Sequence, residues 1–323
     1  MTLSTNRSIA GQIGRRGVLA SGAALLAAPA LAQGAAQTIR IAVVRATVLA
    51  PALVVQQFLP AGWRTELTPF VAPGDMTNAL LTDSVDLAYI GLTIGIVARS
   101  RDQPISIVAN GAGKGTAIVV RADSNIRSIA DLRGKRVGNI PLAIHEILLR
   151  EELRKANMRV QDINLIRLAP ADMPGALQRG DIDAFAGNEP NSTIAVMAGY
   201  GRVLMYPYDN PVGTINVGVL SSDRVVTQRA ELMRAWAEAH ARATEKLAAD
   251  PNGWADLVSR EWGYERAATR GSIDNIELSW KLDARFDGQL AAYIDRLQEL
   301  GVIARKPDMA RLLVRSFVEG VRV

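Results

Sequence analysis

A fifteen-residue pattern occurs twice in this chain at a fixed distance. Ala72-Pro73-Gly74-Asp75-Met76-Thr77-Asn78-Ala79-Leu80, with Asp86 six residues on, returns at an offset of 97 as Ala169-Pro170-Ala171-Asp172-Met173-Pro174-Gly175-Ala176-Leu177, with Asp183 six residues on. Arg40-Ile41 is echoed more weakly by Arg136-Val137. Both copies carry the same physical message. A strand ends, Asp75 or Asp172 caps a short helix, and a turn leads into Val85-Asp86 or Ile182-Asp183 at the start of the next strand. Two similarly wound lobes are the expected outcome.

The surrounding sequence has a βαβ rhythm. Apolar runs at 39–44, 66–71, 87–90, 105–109, 117–121, 136–138, 163–168, 184–186, 203–205 and 215–220 read as strands. Helical patterns lie near 50–58, 75–82, 92–100, 143–156, 172–179 and 191–199, giving an α/β chain with mostly parallel sheets. From Thr227 onward only helices are expected, the clearest carrying Leu232, Trp236, Ala239, Ala243 and Leu247 before Asp250-Pro251 stops it. The division that follows is residues 38–115 plus 217–323 for one lobe and 116–216 for the other, with crossings near Gly115 to Ile118 and Gly213 to Val217 as hinges.

Composition narrows the chemistry. With no cysteine there are no disulfides, thiolate nucleophiles or cysteine-held metals to consider. The formal charge of +5 includes Arg7, Arg15 and Arg16 from residues 1–32, a segment without Lys or acid, so the remainder carries +2 and offers little to a nucleic acid. Residues 1–32 read as a cleaved export signal: a basic start, an apolar stretch Val18 to Ala28, and Ala30-Leu31-Ala32 before Gln33. Gly14-Arg15-Arg16-Gly17-Val18-Leu19 resembles the twin-arginine (Tat) motif, so cleavage after Ala32 and release into a bacterial periplasm are expected.

Open α/β sheets bind ligands beyond the carboxyl ends of their strands, and two lobes of this kind should meet there in a cleft. The loops concerned are Arg45-Ala46-Thr47, Gly91-Leu92-Thr93, Asn110 to Gly115, Asn139 to His145 and Gly187-Asn188-Glu189. Two tempting motifs fail. Gly111-Ala112-Gly113-Lys114-Gly115-Thr116 lacks the Gly-Lys-Ser/Thr of a phosphate loop and reads as a hinge-adjacent loop, and His145-Glu146 has Leu149 where a zinc protease needs its second histidine. Neither a metal nor a cofactor is expected. Glu189 reads either as a carboxylate for a ligand amine or hydroxyl, or as a helix-start residue beside Pro190. His240 and the five tryptophans read as packing residues.

Three strings carry a resemblance: Asp86-Leu87-Ala88-Tyr89-Ile90-Gly91; Ala117 to Ser124 followed by Ser128 to Gly138; and Gly180-Asp181-Ile182-Asp183-Ala184-Phe185 leading to Glu189-Pro190. With them the chain resembles the substrate-binding proteins of ABC importers, in the nitrate/sulfonate/taurine group with the type II periplasmic binding-protein fold. The resemblance implies a two-lobe clamp with C-terminal helices that captures a small, anionic organic ligand (sulfonate or taurine-like, or a carboxylate). It also implies a monomer that hands its ligand to an inner-membrane permease without changing it. Ligand contacts are expected from Arg45, Thr47, Tyr89, Gly91, Thr93, Asn139, Pro141, His145, Asn188 and Glu189, with Arg45 as countercharge. The chain departs from the sulfonate pattern at Leu142-Ala143, where small hydroxyl residues are usual. Alternatives are an enzyme like the thiamine-pyrimidine synthases, whose cysteine motif is missing, and a ligand sensor for a membrane receptor.

Overall fold

The structure is a computed structural model that describes residues 37–70, 73–141 and 143–323. The export-signal and twin-arginine readings on residues 1–32, and Leu142, lie outside the described residues. The strands are β1 (Gln37–Val43), β2 (Trp63–Pro69), β3 (Leu87–Gly91), β4 (Ile105–Lys114), β5 (Thr116–Arg121), β6 (Arg136–Asn139), β7 (Asn164–Arg167), β8 (Ala184–Asn188), β9 (Gly201–Met205), β10 (Ile215–Ser222) and β11 (Ile276–Leu278). The helices are α1 (Pro51–Val54), α2 (Pro73–Leu81), α3 (Leu92–Ser100), α4 (Ile144–Lys155), α5 (Met173–Arg179), α6 (Asn191–Met197), α7 (Asp223–Gln228), α8 (Ala230–Ala249), α9 (Pro251–Trp262), α10 (Arg266–Ile273), α11 (Ala284–Glu299) and α12 (Met309–Leu312).

Two sheets form, in the orders β11-β4-β10-β3-β1-β2 and β7-β6-β8-β5-β9. Set β11 aside and they share one winding: β2-β1-β3-β10-β4 corresponds to β7-β6-β8-β5-β9. The two repeat copies sit at equivalent places, entering α2 and α5. Each sheet is mixed, which corrects the expectation of mostly parallel sheets. β1 runs parallel to β2 and β3, and β6 to β7 and β8, but β10 and β5 enter their sheets antiparallel to both neighbours. Both are central, and an apolar run buried on two faces records burial, not strand direction. β10 is buried along its whole length.

Two further corrections concern the first sheet. Residues 110–114, read as a loop, extend β4, and β11 interrupts the C-terminal helices to pair antiparallel with its edge. The chain leaves β4 through Gly115, whose φ of +75° suits glycine. A side chain there would also press within 3.0 Å of Val48. On the way back, Tyr208 receives the Thr116 amide at 2.9 Å and donates toward the Thr116 carbonyl or Asn275 Oδ1, so the return segment is tied to the outgoing one.

One core packs the first sheet against α8, α9 and α11, with Trp236 and Leu290 fully buried. α8 turns its Leu232, Trp236, Ala239, Ala243 and Leu247 stripe onto it, as the three-and-four spacing predicts. Asp250 then caps α9 by accepting from the Gly253 amide. The second sheet has its own cores on its two faces. α4 belongs to both: Leu149 and Leu153 pack into the second lobe, while Ile144, Ile147 and Leu148 pack with the first.

Candidate functional site

A cavity of about 800 Å³ opens between the two lobes. Val44 and Ala46 after β1, Gly91 and Thr93 at the start of α3, and Asn216 in β10 line it from the first lobe. Pro141, Ala143, Ile144, His145 and Asn188 line it from the second. Both α3 and α4 begin at the cavity, and neither has a side-chain cap, because Gly91 and Ala143 hold the N-cap positions. The amides of Ile144 and His145 have no partner among the described residues. Uncapped first-turn amides and the helix dipole together make a place for an anionic oxygen, each such interaction being worth about 0.3–1 kcal/mol and up to about 2 when partly buried.

His145 is the polar side chain most firmly fixed at this place. Its Nδ1 lies 2.8 Å from Thr116 Oγ1, and Thr116 is wholly buried at the crossing between the lobes. Burial holds the imidazole neutral by pushing its pKa down to about 4. The neutral ring carries one proton: where the Thr116 hydroxyl donates to Nδ1, Nε2 is a donor, and where Nδ1 donates to Thr116, Nε2 is an acceptor. Thr116 does not line the cavity, so the pair orients the imidazole and does not offer a nucleophile to a ligand.

Of the ten residues expected from the sequence, Gly91, Thr93, Pro141, His145 and Asn188 line the cavity, and the other five do not. Arg45 is exposed and does not line the cavity, although Val44 and Ala46 on either side of it do. Alternation along β3 sends Tyr89 to the opposite face from Ile90. There its hydroxyl meets His240 Nδ1 and Trp236 Nε1, both at 3.0 Å, in a buried network. Thr47 is fully buried, its carbonyl accepting from Trp254 Nε1 at 3.2 Å. Asn139 donates to Glu146 Oε2 at 3.0 Å. Glu189 is the helix-start residue of the two readings: its Oε2 accepts from the Thr193 amide at 3.1 Å and hydroxyl at 2.8 Å, and Oε1 from Asn275 at 3.1 Å. Burial raises its pKa.

The sequence reading omits Asp75, Thr77 and Asn78 from α2, Ile94 and Val97 from α3, Arg101 just past its end, and Asn216 from β10, all of which line the cavity. The α2 residues sit just beyond the carboxyl end of β2, so applying the strand-end rule to β2 as well would have found them. A separate polar cavity of about 80 Å³ lies beside β11, where Glu277 and Arg285 already pair at 2.7 Å.

Parts of the chain are similar to proteins named for the solutes they bind. A protein of Escherichia coli (strain K12) named for binding aliphatic sulfonates is 35% identical over 138 residues, covering 42% of this chain and 43% of that protein. The match therefore spans less than half the length of that relative. The taurine-binding periplasmic protein of the same organism is 26% identical over 241 residues, covering 71% of this chain and 73% of that one. Among solved structures, the alkanesulfonate-binding protein SsuA from Xanthomonas axonopodis pv. citri, bound to MOPS, aligns with a TM-score of 0.74 at 22% identity over 86% of this chain and 98% of that one. The fold is accordingly the two-lobe type II periplasmic binding-protein fold with C-terminal helices. The sequence pattern described as NMT1/THI5 like matches residues 58–253, more than half of the chain, and the chain belongs to that family.

Proposed function

We propose that this protein is the solute-binding component of an ABC importer. It is exported with residues 1–32 as a signal peptide cleaved after Ala32, works in the periplasm as a monomer, and delivers its ligand unchanged to an inner-membrane permease. The lobes divide at the two crossings, near Gly115 and before Ile215. The observation that carries the reading is the cavity lined from both lobes, with the starts of α3 and α4 facing it from opposite sides. A ligand that touches Thr93 and Asn216 on one lobe and His145 and Asn188 on the other stabilises only the arrangement in which the lobes meet. Its head is an anionic oxygen group, a sulfonate or carboxylate, held by helix amides and by neutral donors such as His145 and not by an arginine. The sulfonate- and taurine-binding relatives support this class of head group.

A thermal-shift titration of the purified protein with organic sulfonates and carboxylates tests it. A true ligand raises the melting temperature in proportion to the logarithm of its concentration over its dissociation constant. The reading fails if no acid of either kind shifts the transition, or if a bound acid is recovered chemically altered.

A further inference from the structure

The outgoing crossing, the returning segment and the end of β8 all meet on one first-lobe residue, Asn275. The Gly115 amide donates to the Asn275 carbonyl at 2.7 Å, and the Glu189 amide donates to the Gly115 carbonyl at 3.0 Å. Asn275 Nδ2 donates to the Thr116 carbonyl at 3.3 Å and to Glu189 Oε1 at 3.1 Å. The Tyr208 hydroxyl lies 2.8 Å from Asn275 Oδ1. A side-chain amide offers two donors and an acceptor, and here each meets a partner. Asn275, Thr116 and Glu189 are all buried, so losing one of these bonds leaves a polar group that water does not readily reach.

The strand that interrupts the C-terminal helices accounts for this placement. β11 begins at the next residue, and its register, with Ile276 opposite Lys114, seats Asn275 beside the end of β4. α10, just before it, lies against α6 of the second lobe, so close that a side chain at Gly271 would come within 3.1 Å of Thr193. Thr193 is itself bonded to Glu189. The same knot reaches the cavity at two points. Thr116 Oγ1 holds His145 Nδ1, and Asn188 is the chain neighbour of Glu189; both His145 and Asn188 line the cavity, whereas Asn275 does not.

We propose that Asn275 is the pivot of the second lobe and a positioning residue for the ligand: it fixes Thr116 and Glu189, and through them the places of His145 and Asn188 in the cavity wall. The inference rests on the solute-binding reading and adds to it a residue that acts without touching the ligand. A ligand that bridges the lobes needs His145 and Asn188 in register with Thr93 and Asn216 opposite, and hydrogen bonds tolerate only a few tenths of an ångström of misplacement.

The chain has two histidines, so imidazole NMR of the ligand-free protein reads the pivot directly. In Asn275→Ala the His145 ring signals are expected to shift, while those of His240, bonded to Tyr89 and the Asn110 carbonyl within the first lobe, stay in place. Tyr208→Phe, which removes one hydroxyl from the knot and keeps the ring, is expected to shift His145 in the same way but less, and it serves if Asn275→Ala does not fold. Calorimetry with taurine, butanesulfonate and butanoate should show Asn275→Ala weakening the tightest of them at least tenfold. The loss should be smaller in a Thr116→Val background, where the link to His145 is already cut. His145 signals unmoved in both variants, or an affinity unchanged in Asn275→Ala, would overturn the pivot and leave the importer reading intact. Binding of none of the three acids by the unaltered protein would count against the importer reading, while the His145 signals would still decide the pivot.

Discussion

Asp183 holds Arg136 in the same ring of hydrogen bonds with which Asp86 holds Arg40. In each lobe the aspartate amide donates to the arginine carbonyl at 2.8 Å. The arginine amide and Nε return to one carboxylate oxygen, and Nη2 to the other. The ring ties the start of the third strand to the first in both sheets, which is why aspartate recurs at this place in the repeat. The two copies differ in depth. Asp86 is completely buried and also receives Arg229, whereas the Asp183 side chain keeps 25% of its exposure. Asp86→Ala, which removes a buried carboxylate shared by two partly exposed arginines, is expected to cost about 3 kcal/mol, the upper end for hydrogen bonds to a charged group. For Asp183→Ala the expectation is about 1–2 kcal/mol, nearer the worth of a hydrogen bond to a charged group. Urea denaturation of both variants checks this; equal losses would mean that depth does not set the strength of the ring.

That pair of rings also shows what could be read from the chain alone. The repeat disclosed two lobes of one winding, and the apolar runs located ten of the strands within a few residues. What stayed hidden was direction and side. Nothing in the run Ile215 to Leu220 says that it enters its sheet antiparallel, because burial on both faces erases alternation. The strand-end rule puts Arg45 and Tyr89 near the ligand, but at a strand end one residue decides which way a side chain points. His145 was legible because the first turn of a helix fans its residues around the axis, so a one-residue uncertainty in the start still left it near the cavity.

The two buried histidines predict acid sensitivity. His145 and His240 are both held neutral by burial, with pKa values lowered from 6.5 to about 4. Unfolding lets each protonate near its ordinary value, so between about pH 6.5 and 4 the unfolded chain binds more protons and stability falls as pH falls. His240 can be tested apart from the ligand site, since it bridges Tyr89 and the Asn110 carbonyl in the first lobe. His240→Gln is expected to be less stable than the unaltered protein at pH 7.5, with the gap narrowing by about 1–2 kcal/mol at pH 5 because the variant has no imidazole to protonate. The raised pKa of Glu189 favours the folded state on acidification, but it acts equally on both proteins and cancels in the difference. A gap that is constant with pH would show that His240 is not kept neutral.

Arg45 and His145 are expected to matter to the ligand in the opposite order from the sequence expectation. Arg45 is exposed and does not line the cavity, while His145 is fixed by Thr116 at its edge. His145→Ala removes the imidazole from the cavity edge and is expected to weaken binding of the tightest acid about tenfold, near 1.4 kcal/mol. For Arg45→Ala the expected change is under threefold and shrinks further in added salt, as suits a solvated charge. Calorimetry with one carboxylate ligand separates them, and a larger loss at Arg45 would favour its role as countercharge.

The last prediction concerns what holds the lobes together before any ligand arrives. Glu151, on the second-lobe helix α4, is almost fully buried and pairs with Arg296 on α11, which packs against the first sheet. Arg154 also reaches Glu151, but from the same helix, so the bond to Arg296 is the part that opening must break. Three apolar residues of α4, Ile144, Ile147 and Leu148, lie in the first-lobe core beside it. A ligand recognised only by the closed form binds with an apparent dissociation constant equal to the intrinsic one divided by the closed fraction. Arg296→Ala is therefore expected to lower that fraction and weaken ligand binding at least tenfold, although Arg296 does not line the cavity. In small-angle scattering the ligand-free variant should have a larger radius of gyration than the unaltered protein, and saturating ligand should bring the two together. If affinity and radius are both unchanged, the ion pair is not a latch and closure rests on the apolar contacts of α4 alone.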